Sequence, residues 1–167
     1  MKRIVFALLA VAMLVSVLAS CSDEKNRTHT VGDLTFTVPE RLRVTKMEGY
    51  ELYLSTMEYA LAVQELTDEI LIDAGTSKDD TLEVIVDKYF EKNNIDKEQC
   101  ELTYSESQNA YKFRYSVSLD GESYYFHYII IMRNEEHIYF VDMFCDFENG
   151  GNFLSDFKEW GETFKIK

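Results

Sequence analysis

The sequence predicts an α+β domain in which a mostly antiparallel β-sheet carries helices on both faces. Three observations point there. Between Cys100 and Cys145, Tyr111, Phe113, Tyr115 and Val117 alternate with Lys112, Arg114, Ser116 and Ser118. This is the period-two pattern of a strand, and Asp120-Gly121 follows it as a type I′ hairpin signal. The strands after that turn place apolar residues on both faces, which calls for a packed layer on each side. Helices are available to supply those layers. Leu82, Ile85, Val86, Tyr89 and Phe90 fall on one helical face, and a second helix is expected over Asn152 to Trp160.

In chain order, Leu34, Phe36 and Val38 alternate with Thr35 and Thr37 until Pro39 stops the run, so Asp33 to Val38 reads as the first strand. Tyr50 to Ser55 and Tyr59 to Leu66 read as a hairpin across Thr56-Met57-Glu58, with the end of the second segment also open to a helical reading. The helix at Thr81 to Asn93 begins after Asp79 and Asp80 with Asp80 or Thr81 as its cap. Gly150-Gly151 reads as a turn before the last helix, with the lip of a groove as the alternative, and Thr163 to Ile166 as a closing strand.

If the loops at Asp120-Gly121 and Asn134-Glu135 each hold two residues, Arg114 stands opposite His127 and His127 opposite Asp142. One face then carries Phe113, Tyr115, Tyr124, Phe126, Tyr128, Ile130, Tyr139, Val141 and Met143. The other carries Ile129, Ile131, Ile138 and Phe140 together with the polar row Arg114, His127, Asp142.

The first twenty residues belong to a separate unit. Lys2 and Arg3 precede an uncharged apolar run from Ile4 to Leu18, shorter than the roughly twenty residues that span a bilayer, so a signal peptide is expected over 1–20. Leu18-Ala19-Ser20-Cys21 resembles the lipobox of bacterial lipoproteins. That resemblance implies a diacylglyceryl group on the Cys21 thiol, cleavage before it, and a membrane anchor stable because it holds more than one acyl chain. Residues 21–30 are polar and read as the lipidated tether, and 31–167 as a single globular domain in the bacterial cell envelope, outside the cytoplasm.

The chain has 30 acidic and 17 basic residues, a formal charge of −13, and losing Lys2 and Arg3 makes it more acidic still. This disfavours nucleic acid and anionic membrane surfaces as partners. Cys100 and Cys145 remain beside Cys21, and both a disulfide and two buried thiols stay open. No Cys/His cluster has zinc spacing, so no metal or cofactor is expected.

Chemistry-bearing motifs are sparse: the chain lacks a phosphate-binding glycine loop, a GxSxG elbow and a HExxH pair. Of His29, His127 and His137, His127 is the one to weigh. The row Arg114, His127, Asp142 reads as self-satisfied cross-strand polar residues, with a hydrolase or lyase site as the alternative. Asp68-Glu69, Asp79-Asp80 and Glu135-Glu136 read as solvated turn or cap residues, with calcium binding as the second reading, although no EF-hand loop is present. Tyr104, Tyr111, Tyr124, Tyr125, Tyr128 and Tyr139 read as core packing, with a sugar or peptide groove as the second reading.

The order of elements, from Val38-Pro39 through the Asp120-Gly121 meander to the helix near Phe157 and Trp160 and the closing Phe164-Lys165-Ile166, resembles the PsbP-like (Mog1/PsbP) α/β/α sandwich. This family occurs in small bacterial lipoproteins, and the resemblance covers Val31 to Lys167. It implies a non-enzymatic domain that binds a protein or other ligand, as members do in photosystem assembly or with a small GTPase. It supplies no catalytic residue.

Overall fold

The computed structural model describes residues 25–119 and 123–167. Cys21, the expected signal peptide and the Asp120-Gly121 turn therefore lie outside the described residues. Two sheets and three helices make up the described part. The larger sheet contains β3 (Arg43–Val44), β4 (Leu52–Ser55), β5 (Tyr59–Glu65), β6 (Thr103–Ser105), β7 (Ala110–Leu119), β8 (Ser123–Arg133) and β9 (Ile138–Asp146), in the order β3-β4-β5-β9-β8-β7-β6. The smaller is formed by β1 (Asn26–Val31), β2 (Leu34–Pro39) and β10 (Lys165–Ile166), with β2 in the middle. The helices are α1 (Asp68–Asp73), α2 (Leu82–Lys92) and α3 (Gly150–Gly161). No helix among the described residues is long and apolar enough to cross a membrane.

Each helix forms for local reasons. The Thr81 hydroxyl caps α2 by accepting from the Val84 amide, and Thr67 caps α1 by accepting from Ile70. The stripe Leu82, Ile85, Val86 and Phe90 then packs on Phe113, Ile129, Ile131 and Ile138 of the sheet. On the opposite face, Phe157 and Trp160 of α3 join Leu34, Phe36 and Val38 of β2 over Leu61, Val63, Tyr128, Ile130, Val141 and Met143. The predicted two-sided sheet is thus observed, although one of its covering layers is part helix and part second sheet.

The registers differ from expectation, and the reason is loop length. Leu119 pairs with Ser123, so three residues separate β7 from β8 where two were expected. A one-residue shift moves a strand's side chains to the other face relative to its partner. Phe113 and Tyr115 accordingly share a face with Ile129 and His127, while Arg114 stands opposite Tyr128 on the α3 side. The β8–β9 connection is four residues, because the Asn134 carboxamide oxygen accepts from the amides of Glu136 and His137 and shapes a wider turn. That shift is two residues, so faces are kept, and Asp142 stands opposite Ile129 while His127 stands opposite Phe144.

Two further expectations are corrected, and the closing strand is assigned its sheet. The tether assigned to residues 21–30 is in part a strand: Asn26 to Val31 pair antiparallel with Leu34–Pro39 around Gly32-Asp33. Its exposed polar side chains concealed it, since one edge strand of a small sheet buries little. Gly150-Gly151 forms the first turn of α3 instead of a loop before it. The closing segment pairs as Lys165 with Thr35 and Ile166 with Leu34, so it belongs to the smaller sheet.

Candidate functional site

On the α2 face, β8 and β9 bring His127 and Asp142 together. Nδ1 of the imidazole lies 3.0 Å from each carboxylate oxygen, and the two side chains are only 15% and 11% exposed. Rings close over the imidazole from both sides. Tyr115 stacks at 4.9 Å and 6°, and Phe144 at 5.5 Å and 24°. The Tyr115 hydroxyl in turn bonds to that of Tyr89 at 2.9 Å, tying α2 to the sheet. Arg114 is on the opposite face and pairs with Glu101. The expected row is therefore broken into a histidine–carboxylate pair and a separate ion pair.

The electrostatics keep the phenols neutral. Burial, reinforced by the charge of Asp142, pushes Tyr115 up to about 12, with the Tyr89 bond acting the other way. Burial foremost, with Asp142 adding, also raises Tyr50. Tyr53 is raised by burial, then by Tyr50 and Asp142. The Tyr53 ring lies 6.2 Å from that of Tyr50 and 6.3 Å from that of Phe144. This part of the sheet is an aromatic platform with phenolic donors held protonated at neutral pH. Among the described residues, the hydrogen bonds of the His127 side chain run to Asp142.

A separate cleft lies elsewhere. It has a volume of about 690 Å³ and runs along Arg114–Val117 of β7, between the loop at Asn93–Cys100 and the start of α3 at Gly150-Gly151. His127 and Asp142 do not line it. Sequence reasoning missed this feature. The one signal for it was Gly150-Gly151, two consecutive residues without side chains beside a strand that β6 covers only over Ala110–Lys112.

The two cysteines are not disulfide-bonded. Cys145 packs in the α3-side core and Cys100 against the α2-side core, so the sheet separates them. Burial pushes the Cys145 thiol up to about 11, with Asp146 adding, which keeps it an unreactive thiol. The tyrosines divide as well: Tyr128 and Tyr139 are core residues, Tyr104 is half exposed and contacts Tyr111 at 4.9 Å, and the Tyr124 side chain lies outside the described residues.

His137 is the other polar centre. Its Nδ1 lies 2.8 Å from Glu65, and its Nε2 lies 3.4 Å from Asp33 and 3.9 Å from Glu136. Asp33, Glu136 and His137 present ligand atoms within 4.8 Å of one another, the one such set among the described residues able to grip a cation. A protonated imidazole answers the same charges from within. The Glu65 bond foremost raises His137 above its ordinary value; burial opposes it, and the charges of Glu65, Asp33 and Glu136 add to the rise. A raised folded pKa stabilises fully below the unfolded value of about 6.5 and is lost as pH rises through the folded value. The urea midpoint of the wild type is therefore expected to fall from pH 6 to pH 8 relative to His137→Gln, and parallel pH profiles would remove this role.

No protein-family model matches the chain, and no curated protein matches it by sequence. Its architecture nevertheless defines a class, the PsbP/Mog1-like fold. The chain is similar to the solution structure of cyanobacterial PsbP (CyanoP) from Synechocystis sp. PCC 6803, with a TM-score of 0.59 at 12% identity, covering 89% of this chain and 96% of that one. It is also similar to the Ran-binding protein Mog1p of Saccharomyces cerevisiae, with a TM-score of 0.54 at 10% identity, covering 86% of this chain and 96% of that one. At these identities the likeness establishes the fold.

Proposed function

We propose that this chain is a lipid-anchored protein of the bacterial cell envelope whose domain binds another protein and catalyses no reaction. The observation that carries the non-catalytic part is the separation of Arg114 from His127 and Asp142 onto opposite sheet faces. An acid–base site using all three would need them beside one accessible space, and the cleft along β7 receives only Arg114. Protein binding is supported by the fold, since the similar Mog1p is a Ran-binding protein. It is also supported by a cleft that runs along Arg114–Val117 of β7, beyond the residues that β6 pairs with, a surface suited to polypeptide. The anchor rests on Leu18-Ala19-Ser20-Cys21 and the charged, then apolar, segment before it.

Two measurements test this. With the native signal, the protein is expected in the membrane fraction, and Cys21→Ala is expected to move a folded domain into the soluble fraction; retention in the membrane would overturn the anchor. Crosslinking in intact cells with Cys21 retained is expected to yield a specific adduct. Absence of any specific adduct would overturn protein binding.

A further inference from the structure

Strand β7 has a neighbour on its outer side only at Ala110–Lys112, where the three residues of β6 pair with it. Beyond Lys112, no strand pairs with that outer edge among the described residues, so the outward main-chain groups of Arg114–Val117, residues that line the cleft described above, lack a strand partner. Edge strands in stable proteins are ordinarily blunted by proline, lysine, a bulge or a covering segment. Arg114-Tyr115-Ser116-Val117 has no proline and no lysine. Its single cation, Arg114, is already paired with Glu101. The cleft is walled on both sides, by Asn93–Cys100 and by Phe147 with Gly150-Gly151. An added strand needs roughly 4.8 Å of lateral room.

Resting on the protein-binding reading, we infer that this cleft receives an extended, basic segment of a partner protein as an added strand beside Arg114–Val117. Main-chain pairing accounts for the extended form. Charge complementarity accounts for the basic character: the chain carries −13 overall, Arg114 is neutralised by Glu101, and exposed Asp96 on one wall has no cation partner among the described residues. Side chains of β7 alternate, with Arg114 and Ser116 toward the α3 side and Tyr115 and Val117 toward the α2 side. An incoming strand alternates in the same way, so each wall reads every second residue of the segment.

The test is hydrogen exchange on the full chain in phosphatidylcholine nanodiscs, with a ten-residue peptide of alternating lysine and threonine as probe. Slowing of the amides in 113–117 by about tenfold is expected. The same peptide N-methylated at every second residue keeps its charge and loses one edge of donors, and a glutamate–threonine peptide reverses the charge; both are expected to give less than about twofold protection. Gly151→Tyr should abolish protection without unfolding the protein, because an added Cβ there meets nothing within 4 Å. Equal protection by the N-methylated peptide would reduce the effect to charge and overturn the strand. Protection confined to the Tyr50, Tyr53 and Phe144 platform, or no protection, would overturn the site. Concentration-dependent protection of 113–117 without peptide would assign the edge to a second copy and overturn the partner. A specific cellular crosslink at another surface, with no peptide effect, would sink the strand inference alone, whereas absence of any crosslink would sink the binding reading itself.

Discussion

Phe36→Ala is expected to lower stability by about 3–5 kcal/mol, the range for truncating a fully buried aromatic residue. Phe36 is 1% exposed at the centre of β2. Its ring stacks on Phe164 at 4.5 Å and 11°, and on His29 at 5.5 Å and 21°. The cavity would therefore open where the smaller sheet, the segment after α3 and the core of the larger sheet meet. Collapse around it is restricted, because β2 is held between β1 and β10 and its Thr37 amide donates to the Thr163 hydroxyl. Urea denaturation provides the measurement. Met57→Ala, at a fully exposed loop residue, is the control and is expected to change stability by less than about 0.5 kcal/mol. A loss below about 1 kcal/mol at Phe36 would mean that the smaller sheet is not part of the cooperative core.

Adjacent glycines at the start of α3 are expected to respond with opposite signs. A Cβ on Gly150 would lie 2.7–2.9 Å from three atoms of the Phe126 side chain, which is itself 7% exposed. Gly150→Ala must therefore push an anchored ring or shift the helix, costing about 1–3 kcal/mol as overpacking does. Gly151 has nothing within 4 Å of the same position. There, Gly151→Ala restricts the unfolded chain and favours the helix, and is expected to stabilise by about 0.4–1 kcal/mol. Thermal melts of the two variants decide it, and equal shifts would contradict the close approach of Phe126 to α3.

What the sequence revealed and what it hid follow from where each element gets its stability. Helix α2 was legible because its apolar stripe and Thr81 cap are local signals, and the hairpin of β4 and β5 because aromatic and aliphatic residues flank a short polar link. The two-sided sheet was legible from apolar residues at both parities of β8. Strand β1 was hidden, since Arg27, Thr28 and Thr30 give no apolar period and its pairing is fixed by the turn at Gly32-Asp33. The short β3 and β6, each two or three residues long, exist only through their partners. The candidate row failed for a geometric reason: its three members were placed by counting loop residues, and a single residue in the β7–β8 connection exchanges Arg114 for Tyr115 beside His127. The cleft along β7 was illegible, because the absence of a neighbouring strand leaves no mark on the residues of the strand itself.

The pairing of β10 with β2 also sets an order of events in folding. Lys165 and Thr35 are 130 residues apart, so the contact closes a loop whose entropic cost is met only after the intervening chain has begun to organise. The hairpins of β4 with β5 and β8 with β9 need no such closure and are available early. Until residues 164–166 dock, Leu34, Phe36 and Phe164 remain without their mutual cover. Residues 164–166 thus act as the fastener of the seam between the two sheets, closing Phe164 over Leu34 and Phe36.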